Sequence, residues 1–300
     1  MAETAKGNMR MPSLRAQLQS QSPVFAPVVF DPLSARLAEE AGFSTLYLGG
    51  GTQGYLKCVT EANLTLTEMM RVGLDIRTVC SAPLILDGAT GWGDPMHMRR
   101  TIQMTEAAGF AAIEIEDQLT PKRAHHHIGI EHSVPAELMV TKIEEAVAAR
   151  RRDELVIIAR TNVARREGID EALRRGELYR RAGADMLFVL PKTPDEVRII
   201  GERLGPPLMY MLVGVGVASL EFTMTDLSGL GYRLVVDPTT PFLAAYTSLQ
   251  NAYRDMASGK EDRTVGEAGG YEAVQSAIHK TIDLETLLRI ERRSVEPDTN

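Results

Sequence analysis

Eight times along this chain a short apolar run is followed by an amphipathic stretch, and that alternation constrains the fold more than any other feature. The runs lie at 28–30, 46–48, 84–86, 111–115, 156–159, 186–190, 208–213 and 234–236. Between them stand helical patterns such as SARLAEEAG, PMHMRRTIQMTEAAG, ELMVTKIEEAVAARRR and TPDEVRIIGERLG. Several close on a glycine (Gly42, Gly109, Gly183, Gly205), the usual C-terminal stop, and a strand soon follows. Eight strand–helix units over about 210 residues predict an α/β protein with a (β/α)8 TIM barrel. A doubly wound open sheet fits less well, because no GxGxxG follows the first run. The barrel takes residues 1–240, after a short polar lead. Residues 241–300 carry a long helix at 242–256, a Gly-rich break (Gly266, Gly269, Gly270) and a last helix near 271–293. This tail exceeds what a barrel needs and is expected to pack on a neighbouring subunit.

Charge and cysteine usage remove whole classes of function. A net charge of −7 over 300 residues lacks the basic footprint of a nucleic-acid binder. Two cysteines, Cys58 and Cys80, give neither a disulfide framework nor a Cys-rich zinc site. No apolar run approaches the roughly 20 residues of a membrane span. The opening MAETAKGNMRMPSLRAQLQ has no apolar signal region, so a cytoplasmic protein is expected.

Barrel enzymes place their chemistry at the C-terminal ends of the strands. Those ends carry Gly49-Gly50-Gly51, Asp87, Glu116, Arg160 with Asn162, and Asp237. Neighbouring strands lie about 4.8 Å apart, so Asp87, Glu116 and Arg160 on strands three, four and five are predicted to face one pocket. Two carboxylates with no Cys or His at the strand ends suit a hard cation such as Mg²⁺, with Mn²⁺ as a substitute. Arg160 offers a fork for a substrate carboxylate. The plainer alternative is an Asp87/Glu116–Arg160 ion-pair network that only holds the barrel top together. In IEIEDQLTPKRAHHHIGIEH (113–132) Glu114 lies on the same strand face as Glu116, about 7 Å away. Glu114 is either a further metal-shell carboxylate or a deep group paired with a cation. The four histidines that follow cannot all face one ion, so at least two of them are expected to be solvated.

With those residues in view, the chain resembles the isocitrate lyase/phosphoenolpyruvate mutase superfamily from about residue 23 to 259. VFDPLSARLAEEAGF resembles its opening strand and helix, and LDGATGWGD its Asp-x-Asp-x-Gly-(Tyr/Phe)-Gly segment. IEDQLTPKR resembles its Glu-Asp-Gln and Lys-(Lys/Arg) loop, and IIARTN its Ala-Arg-Thr-Asp strand end. The resemblance implies a helix-swapped barrel, assembled as a homodimer or homotetramer, that uses Mg²⁺ to make or break C–C or P–C bonds beside a 2-oxo acid. By position, Asp87 would bind the metal and Glu116 would hold its water shell, with Glu114 a possible third carboxylate. Arg160, Asn162 and the Gly49-Gly50 amides would bind a pyruvate-like moiety.

The chain also departs from the family pattern. Ala89 stands for the second carboxylate of Asp-x-Asp, and Ala124 for the loop cysteine of the lyases. Glu114 stands where relatives often have His. The strand-seven Asn and Glu that commonly hold a second carboxylate fall near Met211 and Gly214. Without the thiol, ordinary isocitrate or methylisocitrate cleavage is not expected. Lys122, Arg123 and above all His126 become the candidate catalytic residues, on a lid at 122–131 that closes over the substrate. The expected activity is C–C cleavage of a small 2-oxo or 2-hydroxy acid through an enolate. Decarboxylation of an oxaloacetate-like acid survives the missing thiol best, and retro-aldol cleavage of an alkylmalate-like acid follows. P–C bond chemistry on phosphonopyruvate, or a non-catalytic metabolite-binding barrel, are the alternatives.

Overall fold

Eight parallel strands pair in sequence order and close into a barrel. They are β1 (Val24–Val29), β2 (Leu46–Leu48), β3 (Leu84–Asp87), β4 (Ala112–Glu116), β5 (Val156–Thr161), β6 (Met186–Val189), β7 (Leu208–Met211) and β8 (Tyr232–Asp237). The computed structural model describes residues 11–214, 216, 218 and 221–295. All eight predicted strands are present. The first is longer than the apolar run suggested, because β8 pairs with Val24–Pro27 while β2 pairs with Val28 and Val29. Pro27 interrupts the apolar pattern without ending the strand.

The side-chain period of two sorts each strand between two cores. Tyr47, Ile85, Ala112, Ile158, Phe188, Met209 and Leu234 pack inside the barrel. Leu46, Leu48, Leu84, Leu86, Ile113, Ile115 and Ile157 face outward into the helical layer. Helices Pro95–Ala107 and Ala136–Ala149 meet that outer face through Met98 and Ile102, and through Met139, Ile143 and Ala146, at helical spacing. Each such buried Met or Ile side chain contributes about 1.5–3 kcal/mol relative to exposure. On β4 the inward positions that follow Ala112 are Glu114 and Glu116, so the same alternation that builds the core sends two carboxylates into the barrel. The parallel register then sets Asp87 beside Glu114 and Glu116 beside Arg160.

The chain divides into two compact units, Met1–Thr240 and Pro241–Asn300. The second holds most of helix Thr240–Ala257, and helices Arg263–Glu267, Gly270–Thr281 and Leu284–Ser294. None of these four helices has a buried residue. The single helix expected near 271–293 is two. Asp283 breaks it in the left-handed conformation that Asp tolerates better than most residues. Among the described residues no helix is long and apolar enough to cross a membrane.

Candidate active site

A cavity of about 220 Å³ opens at the C-terminal end of the barrel, lined by Tyr47, Gly49, Asp87, Lys122, His126, Arg160 and Asn162 among others. Its floor is a charge network. Arg160 Nη1 meets Glu114 Oε1 at 2.6 Å, and Arg160 Nε donates to Asn162 Oδ1 at 2.9 Å and lies 3.6 Å from Glu116 Oε2. Asn162 Nδ2 donates in turn to Glu116 at 3.3 Å. Tyr47, the one inward residue of β2, donates its hydroxyl to Glu114 Oε2 at 3.2 Å. Glu114 is therefore held deep in the barrel by a cation and a phenol. Burial still pushes its carboxyl up to about 7, because the Arg160 charge only partly offsets desolvation.

Asp87 accepts the Gly50 amide on Oδ2 at 2.9 Å and the Ala89 amide on Oδ1 at 3.0 Å. The Gly50 N–H is thus directed at the protein's own carboxylate, while Gly49 and Gly51 line the cavity. Burial, followed by the charge of Glu61, holds the Asp87 carboxyl above its usual range. Loop 88–92 is tied to its neighbour through Thr120, whose hydroxyl donates to Thr90 Oγ1 at 2.9 Å, and through Lys142, whose ammonium donates to the Thr90 carbonyl. Burial pulls the Lys142 ammonium down to about 8.

The loop after β4 folds over this floor. Its base is closed by the pairing of Gln118 with Ser133, and residues 124–128 form a short 3₁₀ turn. Lys122 is buried and ion-paired with both Glu61 and Glu116. Burial lowers its ammonium pKa, but the two carboxylates outweigh that and leave it raised. His126 sets Nε2 3.0 Å from Glu61 Oε1 and Nδ1 2.6 Å from the Arg123 carbonyl. Both ring nitrogens thus face acceptors, an arrangement that only the doubly protonated imidazolium satisfies. Its pKa is raised accordingly, burial opposing and the Glu61 hydrogen bond prevailing. His127 contacts Tyr55 Oη at 3.2 Å and Thr60 Oγ1 at 2.7 Å, and burial followed by the neighbouring His126 charge lowers its pKa. His125 and His132 pair with each other at 2.9 Å and do not line the cavity. Arg123 is exposed and donates to the Pro121 carbonyl, also away from the cavity.

Sequence reasoning missed Glu61, which connects the loop after β4 to the floor. It follows a helix (Gly50–Leu56) that packs on residues 60–61 across Gly54, where a Cβ would stand 2.6 Å from the Glu61 nitrogen. Glycine is needed there for that approach. Its place in the loop after β2, at the catalytic end of the barrel, was the available signal. Burial pushes the Glu61 carboxyl up, but Lys122 and His126 together carry it well below the usual carboxylate range.

Charge decides whether these residues fit a divalent metal. Glu61, Asp87, Glu114 and Glu116 face Lys122, Arg160 and His126, so the fully ionised cluster keeps an excess of negative charge even with the imidazolium counted. Among the described residues no three His, Cys, Asp or Glu side chains are preset around one metal position. Mg²⁺ needs no such cage, since it commonly takes one or two carboxylates, waters and substrate oxygens. Of the carboxylates that line the cavity, Glu61 and Glu131 are ion-paired and Asp87 is not, so Asp87 fits that set, with Glu116 on the neighbouring strand.

The model of the phosphoenolpyruvate phosphomutase family matches residues 14–257. The chain belongs to this family. A 2-methylisocitrate lyase of Aeropyrum pernix is 36% identical over 245 residues, 81% of this chain and 78% of that protein. A 2,3-dimethylmalate lyase of Eubacterium barkeri is 34% identical over 257 residues, 84% of this chain and 87% of that protein. A solved phosphonopyruvate hydrolase in complex with oxalate and Mg²⁺ superposes with a TM-score of 0.78 at 29% identity, covering 94% of this chain and 98% of that one. The family resemblance carried by the four sequence segments is thereby borne out.

Proposed function

We propose that this phosphoenolpyruvate phosphomutase family member is a Mg²⁺-dependent carbon–carbon lyase acting on a 2-oxo or 2-hydroxy carboxylic acid. The observation that carries the reading is one cavity lined together by Asp87, Arg160, Lys122 and His126. A Mg²⁺ held by Asp87, with Glu116 ordering its waters, would draw electron density from the 2-oxygen and the adjacent carboxylate of the substrate. Arg160 has N–H groups beyond those given to Glu114 and Asn162, and they receive the substrate carboxylate. Asn162 and Glu116 fix the plane of that guanidinium. Lys122 contributes positive charge on the lid side of the cavity.

The bond that breaks leaves its electron pair on the carbon next to the carbonyl or carboxyl carbon, as an enolate. In decarboxylation the other fragment leaves as CO₂. In retro-aldol cleavage the 2-hydroxyl gives its proton to the Glu61 carboxylate, which lines the cavity and is hydrogen-bonded to His126, and becomes the 2-oxo group. His126 is the acid that returns a proton to the enolate carbon, a role for which its doubly protonated ring is prepared. The closed lid excludes water while that carbon is reactive.

The names of the relatives favour cleavage of substituted malate-like acids over P–C chemistry, and a substrate panel tests the choice. Oxaloacetate, 2-alkylmalates and phosphonopyruvate are each incubated with Mg²⁺ and followed for pyruvate, CO₂ and inorganic phosphate. Pyruvate or another 2-oxo acid released from a carbon acid is the expected result. Phosphate from phosphonopyruvate with no C–C cleavage would replace this reading by P–C hydrolysis.

The tail extends the proposal to assembly. Leu243, Tyr246, Leu249, Tyr253 and Met256 on the first tail helix are all exposed, as are Ile278, Ile282, Leu287 and Ile290 further on. Apolar side chains repeated at helical spacing usually cover a partner, here a second copy of the chain. A chain ending after residue 258 is expected to run as a smaller, less stable species by light scattering than the full-length oligomer. An unchanged mass would count against the tail as the interface.

A further inference from the structure

Helix Ala136–Ala149 turns Met139, Ile143 and Ala146 into the core between helices and barrel, and among those apolar residues stands a lysine. Lys142 follows Met139 by three residues and precedes Ala146 by four, which puts it on the buried face, and it is 2% exposed. Its ammonium donates to the Thr90 carbonyl, while the carboxylates Asp94, Glu116 and Asp117 reach it through charge alone. Burying a charge against one neutral acceptor costs stability, so the core gains nothing from a lysine that methionine would not supply.

The carbonyl it holds belongs to a turn under strain. After β3 the chain passes through Ala89 (φ 44°), Gly91 (φ 79°) and Trp92 (φ 57°), and two of these are non-glycine residues in the left-handed region. Such a turn persists only where its surroundings over-determine it. Here each carbonyl from Gly88 to Gly91 has a donor: the Gly91 amide at 2.7 Å, the Glu116 amide at 2.8 Å, Lys142, and the Thr101 hydroxyl at 2.9 Å, in that order. Lys142 is the charged donor among them. The Thr90 hydroxyl also receives that of Thr120, two residues before Lys122.

We infer that Lys142 is a positioning residue: by holding the Thr90 carbonyl from the helical layer, it fixes the turn whose Ala89 amide orients the Asp87 carboxylate. The Ala89 N–H meets Asp87 Oδ1 at 3.0 Å, and the Ala89 carbonyl takes the Glu116 amide at 2.8 Å. One residue thus connects the two acids assigned to the metal and its waters, and Lys142 secures the residue after it. The inference rests on the lyase reading above, in which Asp87 holds Mg²⁺, and adds to it a group that touches neither metal nor substrate.

Lys142→Met removes the charge and the donor at nearly equal length, and Lys142→Gln removes the charge but keeps a donor. Both are compared with the parent, at full length, by thermal denaturation, by isothermal titration with Mg²⁺, and by kinetics on whichever acid of the panel is cleaved. Lys142→Met is expected to keep or raise the Tm, because apolar replacement of a buried charge is often neutral or stabilising. Its Mg²⁺ Kd is expected to rise, and its kcat to fall, by about tenfold or more, the usual cost of losing support behind a metal ligand, with substrate KM within about threefold. Lys142→Gln, one bond shorter, should recover part of that loss and stay within about threefold of the parent. Parental Kd and kcat in folded Lys142→Met overturn the inference. So does an equal loss in both variants, which would assign the effect to charge rather than to the carbonyl contact. Should Lys142→Met fail to fold, parental Mg²⁺ affinity and kcat in Lys142→Gln overturn the inference by leaving Lys142 a role in folding alone, and weakened Mg²⁺ affinity at unchanged Tm upholds it. A parent that takes up no Mg²⁺ would instead overturn the lyase reading beneath it.

Discussion

Asp87→Asn is expected to lower kcat/KM by at least about 10³-fold, the equivalent of the several kcal/mol that a metal ion contributes to stabilising developing charge. The same change is expected to leave the stability of the metal-free protein close to that of the parent. Burial and the charges of Glu61 and Glu116 raise the Asp87 carboxyl above its unfolded value. An acid raised in this way makes the folded state bind more protons, so its ionisation costs stability as pH rises above the unfolded pKa. At neutral pH the Asp87 charge therefore works against the fold of the metal-free chain; Asn removes that charge but turns an NH2 toward one of the two amides that Asp87 accepts, Gly50 or Ala89, which offsets the gain. A residue that destabilises the fold yet occupies the cavity wall is one retained for chemistry. Thermal denaturation separates the two roles. Mg²⁺ is expected to raise the Tm of the parent by mass action and to leave that of Asp87→Asn unmoved. EDTA should abolish the parent's turnover, and added Mg²⁺ should restore it. Full turnover after exhaustive chelation would sink the metal assignment.

Much of the barrel was legible because it repeats. The apolar runs at β2, β3 and β5 are uninterrupted, and the helix between β3 and β4 ends where Gly109 stops it. Asp87, Glu116 and Arg160 were legible for a related reason, since strand order and register alone bring the ends of β3, β4 and β5 together. What periodicity does not encode is pairing across loops. Glu61 reaches Lys122 and His126 only because the segment after β2 folds back across Gly54, and no local pattern announces that contact. Glu114 shows the same limit from within a strand. Its inward direction follows from the period of two, but its choice of Arg160 and Tyr47 depends on which neighbours lie nearest once the barrel closes. Arg123 stood beside Lys122 in the loop, yet the chain turns between them, burying one and exposing the other. Ala89 occupies a left-handed turn with φ of 44°, and its amide is used to hold Asp87, which places a backbone donor at the position where the family pattern has a second carboxylate.

His126→Asn is expected to lower kcat by about 10²-fold or more with a smaller change in KM, because the acid acts in the chemical step rather than in initial binding. The pH dependence carries more information than the amplitude. Besides burial, the groups that set the His126 pKa are Glu61, the Arg123 carbonyl and Lys122, all on the loop after β4 or the loop after β2. Glu61 raises that pKa above the ordinary histidine value, so the protonated ring and its contact to Glu61 are fully present below the unfolded pKa. Both are lost as pH rises through the folded value, which makes them the alkaline limb of kcat/KM. In Glu61→Gln the carboxylate is gone while an acceptor oxygen remains, and the alkaline limb is expected to move to lower pH. Lys122 keeps its ion pair with Glu116 in that variant, so the lid retains an anchor. His127→Asn is expected to have a milder effect, because its ring nitrogens meet only the Tyr55 and Thr60 hydroxyls and burial lowers its pKa. His132→Asn should matter less still, since that ring pairs with His125 outside the cavity. Hydrogen exchange across residues 118–132 should slow when oxalate and Mg²⁺ are added, as the lid contacts tighten over the ligand. Equal and mild effects from all three histidine changes, an unmoved alkaline limb in Glu61→Gln and no ligand-dependent protection would reduce the loop to a solvated connector and leave the enolate to be protonated by water.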